Sequence, residues 1–174
     1  PAMGLRGIPE TQIILEDLEI SEEMALIPPE GIKRGFASLM NAYNGQRVGA
    51  GTVAMGIAAG AYELALEFSK ERNQFGRPIC EFQGLQWMLA DMHIQIEASR
   101  LLLRKAAGGN TENSGNGSEF PDMLEAAQAK IFASEMAIKV TNDALQIFGS
   151  SGYSRNFPLE RMARDARMFT IGGG

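Results

Sequence analysis

The segment Arg72-Asn73-Gln74-Phe75-Gly76-Arg77-Pro78-Ile79-Cys80-Glu81-Phe82-Gln83 lies between two long stretches of helical spacing. Phe75-Gly76 offers a bend, and Pro78 halts any helix that reaches it. Upstream, apolar residues recur at positions 36, 39, 40, 43, 50, 54, 57, 58, 61, 64, 65 and 68. Downstream, Phe82, Leu85, Met88, Leu89, Met92, Ile96 and Leu103 mark a second helix. Two long helices joined by a short turn pack antiparallel.

Further along, Leu124, Ala127, Ile131, Ser134, Ile138, Leu145 and Phe148 mark a third helix. Phe157 to Phe169 forms a short fourth, with Pro158 acceptable in its first turn. Gly108 to Ser118 contains no aliphatic residue and reads as a solvated, mobile loop. The pattern predicts helices over 36–70, 82–106, 122–148 and 157–169. The fold class is all-α, an antiparallel four-helix bundle-like domain. The first helix carries Gly45, Gly49, Gly51, Gly56 and Gly60. Each costs about 0.8–1 kcal/mol relative to alanine in a helix interior, so close approach of a helix or a ligand must offset them.

Residues 11–20, rich in Ile and Leu, read as a strand, and Pro28-Pro29 closes it off from the helices. A lone strand leaves its edges unpaired. Residues 1–28 are therefore expected to be the end of a β-domain that lies mostly upstream, and 29–174 the helical domain. Ile171-Gly172-Gly173-Gly174 stops without a closing helix, so the chain is expected to be a fragment, cut before its last helix.

Composition narrows the function. Of 174 residues, 45% are hydrophobic and 21% charged, a globular balance. Sixteen basic against twenty-one acidic residues give −5, with no block of like charge, which argues against nucleic acid as a partner. No run of eighteen apolar residues occurs, so no membrane span is expected. Cys80 and His93 are each the only residue of their kind, which excludes a Cys/His zinc site and an internal disulfide. No metal site is expected.

Arg72 and Arg77 flank the bend. They are either a solvated turn or an anion site, since planar guanidinium donors suit phosphate oxygens. A second cluster, Gln146-Ile147-Phe148-Gly149-Ser150-Ser151-Gly152-Tyr153, ends the third helix. A helix C-cap explains one glycine there. The run of small residues also suits close approach of a ligand to the backbone. A third cluster is Arg161-Met162-Ala163-Arg164-Asp165-Ala166. Its Arg164-Asp165 pair reads as structural.

In this order and at these spacings the three clusters resemble the C-terminal helical domain of acyl-CoA dehydrogenases, from about Met3 to Gly174. The resemblance implies FAD as cofactor, an acyl-CoA thioester as substrate and a homo-oligomer, dimer or tetramer. It implies a cytoplasmic (bacterial) or mitochondrial-matrix location. By resemblance Arg72, Gln74, Phe75, Phe82 and Gln83 contact the flavin of a neighbouring subunit. Gln146 and Gly149 meet its adenosine half, where Ser150 replaces a usual glycine. Asn44 and Arg47 lie near the CoA part of the substrate.

One departure touches the chemistry. The family removes the α-proton with a glutamate held in one of two positions. These match Gly173 and Gln46 here, and neither can act as a base. The register of the match differs, or the base comes from upstream, or no base is needed. The third case fits a branch of the family, the 3-sulfinopropionyl-CoA desulfinases, which carry glutamine at the position of Gln46 and release sulfite. There Gln46 orients the acyl group instead of taking a proton. Otherwise the resemblance implies ordinary α,β-dehydrogenation of a short-chain acyl-CoA, with an electron-transfer flavoprotein as partner. A third possibility is a helical module that only oligomerises.

Overall fold

The computed structural model describes residues 2–8, 10–29, 31–108 and 120–173. Three long helices form the body: α1 (Gly35–Glu71), α2 (Gln83–Ala107) and α3 (Met123–Phe148). Two short helices follow, α4 (Ser150–Tyr153) and α5 (Leu159–Met168). A two-stranded antiparallel ribbon, β1 (Asn73–Gln74) and β2 (Arg77–Pro78), turns the chain from α1 into α2. The expected helices therefore exist, with ends displaced by one or two residues, and the class is all-α. The loop expected over 108–118 lies, Gly108 apart, outside the described residues.

Each helix end has a local cause. Asp122 caps α3, its carboxylate accepting from the backbone N–H of Leu124 and of Glu125. Gly149, at φ +59, ends α3 in a conformation that suits glycine. Pro158 stands just ahead of α5, where its missing N–H is not needed.

The core departs from the spacing of the large aliphatics. On α3, Leu124 and Ile131 are exposed, and the buried face is Ala126, Ala129, Ala133, Ala137, Val140 and Ala144. On α1, Phe36 and Leu39 are exposed, and Ala54, Ala58, Ala61 and Ala65 are wholly buried. Small residues meet small residues, so α1 and α3 approach closely. A Cβ added at Gly51 would lie 3.4 Å from the Cα of Lys130 and 2.8 Å from a methyl of Leu103. A Cβ at Gly60 would lie 3.3 Å from Met162 on α5. Gly45, Gly49 and Gly56 have open space before them. Helix contact thus accounts for two of the five glycines.

The far ends of α1 and α3 meet through Phe68 and Phe148, stacked at 4.1 Å, with Phe157 edge-on to Phe148 at 5.4 Å. The two helices therefore run parallel, with α2 antiparallel to both and packed against both. Residues 32–71 are long and apolar enough by composition to cross a membrane. In this fold α1 is the central core helix, its alanine stripe closed against the bundle.

Residues 11–20 are not a strand. The segment is exposed throughout and pairs with no strand among the described residues, so its β-propensity goes unrealised. Upstream of it, residues 3–5 are fixed to α5. The backbone N–H of Leu5 donates to Oδ1 of Asp165 at 2.7 Å, and Arg164 donates to the carbonyl of Met3. Asp165, only 6% exposed, also pairs with Arg161 at 3.2 Å. Arg164 grips Glu160 through two bonds of 2.8 and 3.0 Å, which hold the Glu160 carboxyl below its ordinary pKa. Arg164 and Asp165 each have a partner other than the other.

Two glycine substitutions should shift stability in opposite directions. A Cβ on Gly152 would sit 2.7 Å from the carbonyl oxygen of Leu145 and 2.8 Å from Cβ of Phe148, so backbone must move. Gly152→Ala should cost about 1–3 kcal/mol. Gly56→Ala, in open space within a helix, should stabilise by about 0.4–1 kcal/mol. Urea unfolding followed by circular dichroism reads both.

Candidate functional site

Gln46 and Gly173, 127 residues apart in sequence, line one cavity. It measures about 430 Å³ and is walled by Tyr43, Gln46, Gly49 and Ala50 of α1 and by Met168, Phe169, Gly172 and Gly173 at the end of the chain. Glycine at 49 leaves the α1 wall without a side chain there, which gives that residue a reason that helix packing does not. Gln46 is exposed to the cavity mouth. Its carboxamide donates and accepts hydrogen bonds but takes no proton. Neither Gly172 nor Gly173 brings a functional group.

Behind this wall stand two cations. Arg47 donates through Nε to the carbonyl of Gly173 at 3.3 Å and through Nη1 to Oδ1 of Asn44 at 2.9 Å. Its guanidinium also lies 5.5 Å from the ring centre of Tyr43. Asn44 in turn donates to the carbonyl of Pro121 at 3.3 Å. Asn44 is 3% exposed and fully engaged, so within this chain it orients Arg47 and ties α1 to the start of α3. Lys130 of α3 is equally buried at 3% exposed. Its Cε lies 3.6 Å from where a Cβ on Gly173 would stand. Burial lowers its pKa, and the charge of Arg47 lowers it further, against an opposing pull from Glu135. Sequence spacing gave no sign of Lys130, since a lysine in a helix normally faces water.

The second group of residues sits at the opposite end of α1. Phe75 and Gly76 form the tip of the β1–β2 ribbon with φ of +53 and +82. Positive φ at both central residues matches a type I′ turn, which favours Asn or Gly at the first position. Phenylalanine there costs roughly 1–2 kcal/mol of backbone strain. Its ring gains no burial in return, being 93% exposed. Arg72, Gln74 and Gln83 are exposed around it, and Phe82, half-buried, meets Phe75 edge-on at 6.1 Å. The backbone N–H of Ile79 donates to the carbonyl of Arg72 at 2.8 Å and closes the base of the ribbon. Gln146 and Gly149 are exposed at the end of α3, which the Phe68–Phe148 stack holds at this same end of the bundle. Gly149 has open space before it. Gly152 is different, since the chain's own Leu145 and Phe148 fill the room in front of it.

Lys130 has a measurable signature. Its folded pKa lies below the ordinary 10.5, so between those values the unfolded chain holds a proton that the folded chain has released. Stability therefore rises with pH across that window. Lys130→Met should flatten the rise relative to wild type, read as urea midpoints taken at intervals from pH 7 to 10.5. Parallel curves would show that Lys130 titrates as an ordinary surface amine.

Residues 33–174 match the family model described as the acyl-CoA dehydrogenase C-terminal domain. The chain is 65% identical over 173 residues to a 3-sulfinopropanoyl-CoA desulfinase of Cupriavidus necator, covering 99% of this chain and 42% of that protein. It is 43% identical to a cyclohex-1-ene-1-carbonyl-CoA dehydrogenase of Syntrophus aciditrophicus, covering 97% of this chain and 39% of that protein. Among solved structures, butyryl-CoA dehydrogenase of Megasphaera elsdenii superposes with a TM-score of 0.75 at 44% identity, over 81% of this chain and 35% of that one. The chain thus spans about two fifths of the length of the curated relatives it matches. On fold, motif order and identity together, the chain belongs to the acyl-CoA dehydrogenase family and carries its C-terminal helical domain.

Proposed function

We propose that this chain is the FAD-binding and oligomerisation domain of a flavoenzyme that releases sulfite from 3-sulfinopropanoyl-CoA. The observation that carries the reading is the cavity shared by Gln46 and Gly173. Both positions at which the family's base is expected wall that cavity, and neither side chain is basic. Three relatives named 3-sulfinopropanoyl-CoA desulfinase are 65%, 64% and 66% identical to this chain, which supports the same reading.

The chemistry suits the residues. In desulfination the C–S bond breaks, carbon gains a proton and sulfur gains hydroxide, both from water. 3-Sulfinopropanoyl-CoA and water give propanoyl-CoA and hydrogen sulfite, with no net oxidation. An anionic sulfinate beside position 46 would be repelled by a carboxylate there and tolerates a carboxamide. Gln46 donates a hydrogen bond to the acyl group and fixes its orientation. Arg47 and Lys130 supply positive potential behind the wall. Asn44 holds Arg47 in place, and together they form the inner boundary of the substrate site.

FAD, when bound, supplies the ring system that accepts hydride in this family's dehydrogenations. Arg72, Gln74, Phe75, Phe82, Gln83, Gln146 and Gly149 are the residues that would hold it, and their surroundings suit a ligand. The ribbon tip exposes a strained aromatic ring, and Gly149 opens onto free space. From Gln46 to Arg72 the helix runs about 39 Å at 1.5 Å per residue. A flavin held at the ribbon therefore serves the cavity of a second copy. The apolar residues left outside fit that requirement: Trp87, Ile94 and Leu101 repeat every seven residues on α2, and all three are exposed.

Three outcomes test this. The full-length protein should release sulfite from 3-sulfinopropanoyl-CoA and should fail to reduce a dye with butyryl-CoA. Efficient dye-linked oxidation of butyryl-CoA would instead establish the dehydrogenase reading, with an electron-transfer flavoprotein as acceptor. Gln46→Glu should lose sulfite release and gain some dye-linked oxidation, because a general base is worth about 10²–10⁴-fold and even a poorly placed one is measurable. If neither activity moves, Gln46 is not at the reacting carbon. The chain alone should self-associate in light scattering, and a monodisperse monomer of 18.8 kDa would remove the oligomer.

A further inference from the structure

The strain at Phe75 calls for something that holds its ring in place. The ring buries almost nothing, so packing within the chain does not do so. Two contacts remain. The register pairs Gln74 with Arg77 across the turn, which fixes the backbone. Among the described residues, the ring's aromatic contact is with Phe82, T-shaped at 6.1 Å and 82°. Phe82 is thus the support for Phe75, and the position of Phe82 becomes the question. The guanidinium of Arg77 covers the face of Phe82, with Cζ 4.2 Å from the ring centre. One aromatic ring therefore carries a cation on its face and a second ring against it.

We infer that Arg77 is a positioning residue of the flavin site: it fixes Phe82, and through Phe82 it sets where the exposed ring of Phe75 stands. This rests on the reading that the ribbon binds FAD. Arg77 has a different part from Arg72. Arg72 joins the end of α1 to the ribbon with its side chain exposed and available to a phosphate, whereas the guanidinium of Arg77 lies on a ring. A planar guanidinium can lie flat on that ring, and a lysine ammonium cannot match the contact. The chemistry that Arg77 serves is aromatic. An exposed ring held at a fixed angle suits a flat heteroaromatic ligand, of which the flavin and adenine of FAD are the two examples at hand.

The test is a double-mutant cycle in the full-length protein, reading FAD affinity by the quenching of flavin fluorescence on titration into apoprotein. Arg77→Gln should weaken FAD binding about three- to fivefold, the scale of a lost cation–π contact. Arg77→Lys should fall between. Thermal melting of the apoproteins should stay close to that of wild type, because Arg77 is exposed and an exposed cation–π contact contributes little to stability. With Phe75→Ala as background, adding Arg77→Gln should cost clearly less than it does in wild type, since part of its effect runs through Phe75. Fully additive losses would mean that Arg77 touches the cofactor itself, and the inference would be overturned. Unchanged affinity in Arg77→Gln would overturn it too. If wild type and Phe75→Ala bind FAD equally well, or wild type binds none, the flavin reading of the ribbon fails instead.

Discussion

The contact between α1 and α3 governs this molecule. Alanines at 54, 58, 61 and 65 share a core cluster with Ala137 and Ala144, Val48 shares another with Ala126, Ala129 and Ala133, and Gly51 comes within reach of the Lys130 backbone. Helices separated only by methyl groups exclude large side chains from between them. Leucine, isoleucine and phenylalanine must then face elsewhere, and here many face outward. A close-packed centre and an apolar exterior are two results of one constraint. The same approach carries Lys130 to the side of Arg47 and Gly173. Two cations would not otherwise meet in a half-dry corner, since each costs desolvation and repels the other. The packing of the core therefore builds the electrostatics of the cavity.

Length does the rest. A helix of 37 residues extends about 55 Å, which puts the cavity near one end of α1 and the aromatic ribbon beyond the other. Between them α1 is anchored in the bundle and offers no hinge. On the proposed reading, a second copy, reversed, would bring ribbon and cavity together around one ligand. On that reading, association and cofactor binding become a single requirement, and the exposed stripe on α2 serves both.

Much of this was legible in the sequence because helix ends are written in punctuation. The Phe75-Gly76 bend, Pro78, Gly149 and Pro158 each stop or start the chain for a local reason, and the boundaries fall within a residue or two of where those signals put them. The faces of the helices were less legible. A spacing rule that counts large aliphatics finds Leu124 and Ile131, yet the buried face of α3 is alanine. Alanine carries little hydrophobic signal of its own, and its importance appears only when a second small-residue helix is placed opposite. The segment over 11–20 failed for a related reason. Strand propensity describes how a residue fits a sheet, and here no sheet stands beside it. Of the candidate site, Gln46 and the ribbon residues were found from motifs. Lys130 was not, because its position beside Gly173 depends on tertiary contact between residues far apart in the chain.

Position 173 and position 46 offer a carboxylate different surroundings in this chain. Gly173 has φ of +88, a region that favours glycine, so any side chain there begins with backbone strain. Its Cβ would point to Cε of Lys130 at 3.6 Å, and a carboxylate on it would meet that buried ammonium before reaching the cavity. A carboxylate pinned by a buried cation becomes a weaker base, because the pairing favours its charged form. At position 46 the backbone is ordinary helix, and the side chain opens onto the cavity mouth. The two sites therefore differ in what a carboxylate would meet in this chain: a positive φ and Lys130 at 173, an ordinary helix and an open cavity mouth at 46.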